Sequence, residues 1–439
     1  MLNRIRLSCG LFMVAFLSAC SGGGGINLPA SNSHGAPPPA NGTPAAPVPG
    51  ATANATPSPA PSSAVEPQKH VLTADYIGYG GSSSLSASQV APYLSWAETN
   101  SNSSNALSAA GIKTLDYVDP FRQATTDPLY TSNNSTFSHD CNSDRIAIHY
   151  VGGTSNVIQY LMDPGSGSLV DLLNAWERSE ENGGHIDAFY FDNVDDLLGV
   201  PTAPCHITQG DWDAANASFI KASAHPVVFS GYALSSDAAT LIDNSNTEGG
   251  VVEDCYSRTS QPTPPYTTGT LWTHNENLEL AAAAAGKRFF CYNNGDQGAS
   301  SSVPLRKYVY ASFLLTYSPS SSVLWEDFST PKSFHVLPET GLVPTSPRVA
   351  PSTIVSLQSS SGVYVREYGA CYLAGTSLGR CAAIVNSDTS AHRMPSLSAS
   401  YAHTLTLSGS DVLDGGTAAA NGAAPPSTVP AQTGIIAIQ

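Results

Sequence analysis

The strongest constraint on the fold is an alternation along residues 71–328 between short apolar or β-branched runs and stretches with a helical pattern. Eight runs have the character of strands, most of them with an acidic residue or asparagine in their C-terminal half: Val71–Tyr79, Ile112–Pro120, Arg145–Val151, Ala188–Asn193, Pro226–Tyr232, Gly250–Cys255, Arg288–Asn293 and Val323–Phe328. The clearest helical stretches are Ser88–Glu98, Leu169–Glu181, Asp211–Ala224, Asp237–Ile242, Asn275–Ala285 and Pro304–Tyr317. Eight strands separated by helices predict an α/β fold, the (β/α)8 or TIM barrel.

A doubly wound parallel sheet is the competing fold for such an alternation. It would require a glycine-rich phosphate loop between the first strand and the first helix. Gly78, Gly80 and Gly81 do not form the GxGxxG pattern before a helix. The sequence therefore favours a barrel over residues 70–347, and no cofactor is predicted.

The pattern changes after Pro351, where no helical periodicity remains. Short strand-like runs are separated by Gly, Ser, Asn and Asp: Ile354–Leu357, Val363–Tyr368, Cys381–Val385, Thr404–Leu407 and Ile435–Ile438. These runs predict a small C-terminal antiparallel β-sandwich as an accessory domain over residues 348–439. Ala418–Pro430 is expected to be a flexible loop within it.

The N-terminus has the pattern of an export signal. Two arginines precede the apolar run Leu7–Ala19, which is too short to span a bilayer. The run ends in Leu17-Ser18-Ala19-Cys20, which resembles a bacterial lipobox, and Ser21 favours the outer membrane. We expect a signal peptide over residues 1–19, lipidation of Cys20 and a Pro/Ala/Ser-rich tether over residues 20–69. An ordinary signal peptide with an incidental cysteine is the alternative.

Charge is scarce in this chain. Charged residues make up 12% of the sequence, against about 25% in a typical soluble protein, and the formal net charge is −16. Nucleic acid is excluded as a partner, because phosphate binding requires patches of Lys and Arg. A neutral or cationic substrate suits this composition better. The expected partners are a polysaccharide or oligosaccharide and, through Cys20, the membrane of a bacterial cell envelope.

The cysteines indicate disulfides. Six remain after Cys9 in the signal and the lipidated Cys20 are set aside: Cys141, Cys205, Cys255, Cys291, Cys371 and Cys381. No CxxC spacing occurs, so no metal site is predicted, and export favours oxidation. Six thiols allow 15 pairings. The predicted layout favours three of them, Cys371–Cys381 across a hairpin loop, Cys255–Cys291 at neighbouring strand ends and Cys141–Cys205 between loops of one face.

The active site of a barrel lies at the C-terminal ends of its strands. Carboxylates and aromatic residues gather at the predicted ends. Those expected to contact substrate are Asp75, Tyr76, Asp116, Asp119, Tyr150, Asn193, Asp195, Tyr232, Asn293, Trp325 and Glu326. Carboxyls supply acid–base chemistry and aromatic rings stack on sugar faces, so this combination predicts a glycoside hydrolase.

Such an enzyme needs one ionised carboxylate and one protonated carboxyl on opposite sides of the glycosidic bond. Asp192, directly after the apolar run Ala188–Phe191, is the best candidate for the ionised group. Glu253, after Gly250–Val252, is the best candidate for the acid, with Asp195 and Glu326 left as alternatives. Asp192 could instead cap a loop, and Glu253 could be packed or salt-bridged.

The segment Asp187–Asp195 resembles the acidic strand of the endo-α-1,4-polygalactosaminidase family and related glycoside hydrolases. Val252-Glu253-Asp254 occupies the place of the family's second acidic strand end, and Val363–Tyr368 resembles its C-terminal β-domain. The resemblance implies a (β/α)8 barrel that cleaves α-linked amino-sugar polymers. Ala188 stands where the family usually has glycine, so the identity of the sugar stays open.

Two functions remain at this stage. One is a lipid-anchored hydrolase of an extracellular or surface polysaccharide, and the other is a catalytically inactive, glycan-binding barrel in exopolysaccharide or cell-surface assembly. Asp192 and Glu253 carboxyls facing each other across an open cleft would favour the enzyme. A separation of about 5–5.5 Å would indicate retention of configuration, and about 6.5–9.5 Å inversion.

Overall fold

The computed structural model describes residues 68–77, 85–152, 155–194, 202–235, 237–258, 265–294, 302–327, 334–347 and 351–439. The predicted signal peptide, Cys20 and nearly all of the tether lie outside these ranges, as does Asp195. For Tyr150, the backbone is described but the side chain is not.

The predicted (β/α)8 barrel is confirmed. The first eleven strands are β1 (Leu72–Tyr76), β2 (Trp96–Glu98), β3 (Lys113–Val118), β4 (Arg122–Ala124), β5 (Ala147–Gly152), β6 (Ser155–Leu161), β7 (Ala188–Phe191), β8 (Val227–Phe229), β9 (Thr247–Val252), β10 (Arg288–Asn294) and β11 (Ser322–Asp327). Eight of them form a closed parallel barrel in the order β1-β2-β3-β7-β8-β9-β10-β11, with β11 pairing back to β1.

Helices follow the barrel strands and cover their outer faces. They are α1 (Ala87–Val90), α2 (Ser101–Ala109), α3 (Gly167–Glu181), α4 (Gln209–Ala222), α5 (Ala238–Asp243), α6 (Gly269–Ala284) and α7 (Val303–Thr316). The start of α4 shows how sequence sets a helix boundary. Thr208 and Asp211 form a capping box, in which each side chain accepts a hydrogen bond from the backbone N–H of the other. No helix in the described ranges is long and apolar enough to cross a membrane.

The sequence prediction placed two segments wrongly. Arg145–Val151 was expected to be the third barrel strand, but β5 pairs antiparallel with β6, in a small sheet of order β4-β6-β5 outside the barrel. Trp96–Glu98 was assigned to a helix, yet it is the second barrel strand. Three residues are too short to show a period of two, and only the two neighbouring strands hold this segment extended. Tyr150, on β5, therefore does not lie at a barrel strand end.

The C-terminal part is built from antiparallel sheets, as predicted. Its strands are β12 (Leu342–Pro347), β13 (Tyr364–Leu373), β14 (Thr376–Asn386), β15 (His392–Arg393), β16 (His403–Thr404), β17 (Thr406–Ser408), β18 (Thr417–Ala419), β19 (Thr428–Val429) and β20 (Thr433–Ile438). Five form one sheet of order β12-β13-β14-β20-β16, and β15–β19 and β17–β18 are two-stranded ribbons.

Three details of this part differ from the prediction. The first strand of the five-stranded sheet begins at Leu342, ahead of the expected boundary after residue 347. Ile354–Leu357 is a 3-10 helix and not a strand. The segment expected to be a flexible loop contributes to both ribbons, because its backbone pairs with β17 and β15.

The five-stranded sheet packs on α7. A side-chain carbon added to Gly434 of β20 would lie 2.4 Å from the carbonyl oxygen of Lys307, so only glycine permits this approach. Arg366 of β13 donates hydrogen bonds to the carbonyl oxygens of Leu315 and Tyr317 at 3.1 and 3.0 Å. These carbonyls end the helix, so a strand of the C-terminal sheet supplies their partners.

All three predicted disulfide pairings are present. Cys255 and Cys291 join the ends of neighbouring barrel strands, and Cys371 and Cys381 join β13 to β14. Cys141 and Cys205 connect the segment between β4 and β5 to the segment between β7 and α4.

Candidate active site

The barrel interior follows from the alternation of side chains along each strand. One cluster of interior side chains fills it: Ala74, Trp96, Leu115, Ala188, Tyr190, Val228, Val251, Phe290, Tyr292, Val323 and Trp325, with Leu72, Tyr76 and Tyr117 packed against them. On each strand, the next inward-facing residue after the last cluster member lies two positions further along the chain, at the C-terminal rim of the barrel. Seven described residues have this position: Glu98, Asp119, Asp192, Ser230, Glu253, Asn294 and Asp327. Five of these seven rim residues are carboxylic acids.

Asp192 is a rim acid held by three hydrogen-bond donors. Its Oδ2 accepts a hydrogen bond from the Tyr117 hydroxyl at 2.7 Å. Its Oδ1 accepts one from the Ser230 hydroxyl at 2.7 Å and one from the backbone N–H of Asn193 at 2.8 Å. Its side chain is 9% exposed. Three donors fix the orientation of a group that, when ionised, can only accept hydrogen bonds.

Asp119 and Asn193 brace the loops beside Asp192. Asn193 has a positive φ of 56°, and its amide donates to Asp119 Oδ2 at 2.7 Å. The other oxygen of Asp119 accepts hydrogen bonds from two backbone N–H groups, those of Phe121 and Arg122. Burial and the charge of Asp192 raise the pKa of Asp119 well above its ordinary value. Both residues were predicted substrate contacts, and the structure brings both to the rim.

A chain of phenols leads to a second rim acid. The Tyr76 hydroxyl donates to Tyr292 at 3.3 Å, and the Tyr292 hydroxyl donates to Asp327 Oδ2 at 2.7 Å. Trp325 lies beneath them, with ring centroids 5.0 Å from Tyr76 and 5.1 Å from Tyr292. These rings, with Tyr190, form an aromatic floor below the carboxyl rim. Trp325 is fully buried and belongs to this floor.

Glu253 follows β9 at the rim and is half-buried. Besides burial, the charges of Glu253 and then Asp192 are the largest causes that raise the pKa of Tyr190. Glu253 also raises the pKa of Tyr76. The two predicted catalytic carboxyls therefore lie close enough to act on one phenol of the aromatic floor.

Glu98 is a rim acid that the sequence reasoning missed, because its strand was assigned to a helix. In the barrel it is paired with Tyr76 of β1 and Leu115 of β3. It is 5% exposed, and burial followed by the charges of Asp192, Asp116 and Asp327 raises its pKa well above the ordinary value. The register of a three-residue strand carries no sequence signal, so only the barrel reveals it.

Two predicted substrate contacts lie on the outer face of the barrel instead. Asp75 is fully buried, and its Oδ2 accepts the backbone N–H of His335 at 2.7 Å. Burial lowers the pKa of His335, but the hydrogen bond and charge of Asp75 raise it to about 9. Glu326 is buried near the Arg306–Glu339 ion pair, and burial and Glu339 raise its pKa. These carboxyls join the barrel to its outer layer, away from the rim.

Asn293 and Tyr232 also differ from their predicted roles. The side-chain oxygen Oδ1 of Asn293 accepts hydrogen bonds from the backbone N–H groups of Tyr256 and Ser257 at 2.9 and 3.2 Å, which fixes the turn after β9. Tyr232 is fully buried outside the barrel and donates its hydroxyl to the carbonyl oxygen of Leu278 at 3.3 Å. Asn293 has outward parity and Tyr232 lies beyond the end of β8, and both side chains support packing.

Asp116 has outward parity as well and is 1% exposed, so it is buried behind β3 rather than presented at the rim. Its charge acts on Glu98 through the sheet. Among the described residues, the only group of three metal-binding side chains close enough to share an ion is Cys141, Cys205 and His206. The two cysteines of this group form a disulfide, so their sulfurs offer no thiolate to a metal.

The rim gathers carboxyl groups at one end of the barrel, an arrangement that is capable of acid–base chemistry. The environments of these carboxyl groups differ: donors hold Asp192 and Asp119, while burial raises the pKa of Asp119 and Glu98. The rings of the aromatic floor lie directly below these carboxyls, and Tyr76 is the one among them that is partly exposed.

No family model matches the chain, and no curated protein sequence matches it. Solved structures resemble it at low identity. The glycoside hydrolase domain of PelA from Pseudomonas aeruginosa is 10% identical, with a TM-score of 0.38, over 60% of this chain and 95% of that one. Ega3 from Aspergillus fumigatus, in complex with galactosamine, is 12% identical, with a TM-score of 0.37, over 62% and 96%. An α-galactosidase from Thermus thermophilus is 12% identical, with a TM-score of 0.40, over 62% and 63%. Likenesses at this level do not bear on activity.

Proposed function

We propose that this protein is a glycoside hydrolase that cleaves an extracellular or cell-surface polysaccharide. The observation that carries the proposal is Asp192, a carboxyl fixed by three donors at the C-terminal rim of the barrel and surrounded by other inward acids. This is the end of the fold where barrel enzymes perform their chemistry. The aromatic floor below it suits a sugar ring.

In this mechanism, Asp192 is the ionised carboxylate and Glu253 the acid. Glu253 transfers its proton to the glycosidic oxygen as the bond to the anomeric carbon breaks. Asp192 either attacks that carbon or takes a proton from a water that attacks it. Glu253 gains a negative charge in this step and Asp192 loses one, so the total charge is unchanged. The hydrogen bonds from Tyr117 and Ser230 hold Asp192 in place for either role.

The acidic rim favours a neutral or partly cationic sugar. Five of its seven described residues are carboxylic acids and none is Lys or Arg, which disfavours an anionic polymer. An α-linked, amino-sugar-containing polymer combines this preference with the resemblance of the Asp187–Asp195 segment. We therefore propose an α-linked polymer of this kind as the substrate.

A panel of α-linked and amino-sugar polysaccharides, assayed for new reducing ends, tests the activity. Asp192→Asn and Glu253→Gln should each lower release by about 100-fold or more, since each removes a group that acts in the reaction. Glu248→Gln is the matched control. Glu248 lies at the opposite end of β9, where it pairs with Lys113 and Arg288 at 3.9 and 3.7 Å.

Equal activity of Asp192→Asn and wild type would refute the proposed chemistry. Binding of a polysaccharide without release by wild type would instead support a non-catalytic, glycan-binding barrel, since the aromatic floor would serve such a protein equally well.

We also infer that the chain is anchored to the bacterial envelope by a lipid on Cys20. The support is the lipobox-like segment Leu17–Cys20 and the Pro-rich stretch that follows it. Labelling of cells with a radioactive fatty acid should mark the wild-type protein and not Cys20→Ser. Equal labelling of both would exclude Cys20 as the attachment site.

A further inference from the structure

Glu98 has no evident structural partner for one of its carboxyl oxygens. Its Oε2 is buried and makes no hydrogen bond within the described ranges of the chain. A buried polar atom of this kind is costly unless something satisfies it. The register with Tyr76 gives this side chain inward parity, so it belongs to the same rim as Asp192 and Asp327.

The electrostatic surroundings of Glu98 are uniformly negative. The charges that act on it are those of Asp192, Asp116 and Asp327, and together with burial they raise its pKa well above the ordinary value. No rim residue in the described part of the barrel is Lys or Arg. An ionised Glu98 would therefore have no counter-charge at the rim, whereas a protonated one would carry a hydrogen-bond donor.

We propose that Glu98 is a substrate-binding residue that works as a neutral carboxylic acid, donating a hydrogen bond from Oε2 to an oxygen of the sugar unit lying against Asp192. The inference rests on the proposed function. It also gives the site a specificity: a neutral acid selects hydroxyl, ether or carbonyl oxygens, while an ionised Glu98 would select an ammonium group. Glu98 would thus read an oxygen of the sugar ring even where the polymer is cationic.

Two substitutions separate these roles. Glu98→Gln keeps the shape and an N–H donor but cannot ionise, whereas Glu98→Ala removes the donor. With α-1,4-linked galactosamine oligosaccharides as the probe, we expect kcat/KM to fall by about 3-fold in Glu98→Gln and by about 10- to 100-fold in Glu98→Ala. Glu248→Gln, at the other end of the barrel, is the control for loss of a carboxyl elsewhere, and circular dichroism melting checks folding.

The pH dependence of kcat/KM distinguishes this role from a packing role, which would leave that dependence unchanged. The kcat/KM ratio of Glu98→Gln to wild type should rise with pH, because only the wild-type group ionises and loses its donor. The other rim groups are the same in both proteins, so the pH dependence that they cause largely cancels in this ratio. A flat ratio, or equal damage by Gln and Ala, would overturn the neutral-acid role.

The outcome is separable from that of the proposed function. Activity that depends on Asp192 and Glu253 but is unchanged in Glu98→Ala refutes only the role of Glu98. If wild type cleaves nothing, calorimetric affinities of the same variants for the same oligosaccharides replace kcat/KM, with the same expected order. Absence of both cleavage and binding by wild type overturns the Glu98 proposal together with the function.

Discussion

The hydrogen bond from Tyr117 to Asp192 offers the sharpest test of the site. Tyr117→Phe removes only the hydroxyl that donates to Asp192 Oδ2 at 2.7 Å. The ring keeps its edge-on contact with Tyr190, whose centroid lies 5.7 Å away. Burial followed by the charge of Asp192 raises the pKa of Tyr117, so the hydroxyl stays protonated and remains a donor through the neutral range.

The size of the effect follows from the charge of the acceptor. A hydrogen bond to a charged group contributes about 1.5–3 kcal/mol, which corresponds to about 10- to 150-fold in rate. The remaining donors, Ser230 and Asn193, both bind Oδ1. Loss of the Tyr117 donor therefore frees one side of the carboxylate to rotate. We expect kcat to carry most of the loss, because the substrate itself does not need this hydroxyl in order to bind.

Reducing-end kinetics on the best polymer of the panel measure the effect, with Tyr232→Phe as the matched control. The Tyr232 hydroxyl donates to the carbonyl oxygen of Leu278 in α6 and not to a rim carboxyl. Tyr232→Phe should lower stability slightly and leave kcat unchanged. Activity of Tyr117→Phe within about 3-fold of wild type, or an equal loss in Tyr232→Phe, would refute the assignment of Asp192 as the fixed carboxylate.

Two further predictions concern stability. Replacing Cys141 and Cys205 by Ser opens a loop of 64 residues and should lower the free energy of unfolding, measured in urea, by about 4 kcal/mol. Replacing Cys371 and Cys381, whose loop is 10 residues, should lower it by about 3 kcal/mol. The opposite order would contradict the explanation by chain entropy. Burial raises the pKa of Glu177 from 4.5 to about 7, so its contribution to stability is complete below pH 4.5 and is lost as pH rises to about 7. Glu177→Gln should flatten the decline of unfolding free energy across that window, and parallel curves for variant and wild type would show that Glu177 does not titrate there.

The sequence was a good guide where a local pattern has only one structural solution. The apolar run before Asp192 places this carboxyl at the end of a strand in any parallel sheet, and the barrel puts it at the rim. The three disulfides followed from the order of strands and loops, which the alternation of elements already contained.

The sequence was a poor guide to which of two adjacent polar residues faces the rim. In β10 and β11 the rim residues are Asn294 and Asp327, although Asn293 and Glu326 were predicted. Barrel strands are buried on both faces and read as nearly continuous apolar runs, so they lack the alternation that would reveal parity. A shift of one residue exchanges the inner and outer faces completely.

The sequence by itself determined the class of fold, the C-terminal antiparallel part and the acidic character of the strand ends, because each depends on local patterning. It favoured three of the 15 possible cysteine pairings, and the tertiary structure decided them. Only the tertiary structure decided which carboxyls converge. Barrel closure fixes the register of the strands and therefore which side chains face inward. It also includes the three-residue strand that carries Glu98, a segment that is held extended only by its two neighbouring strands. The composition of the rim is therefore a property of the closed barrel, since hydrogen bonds between segments distant in sequence set it.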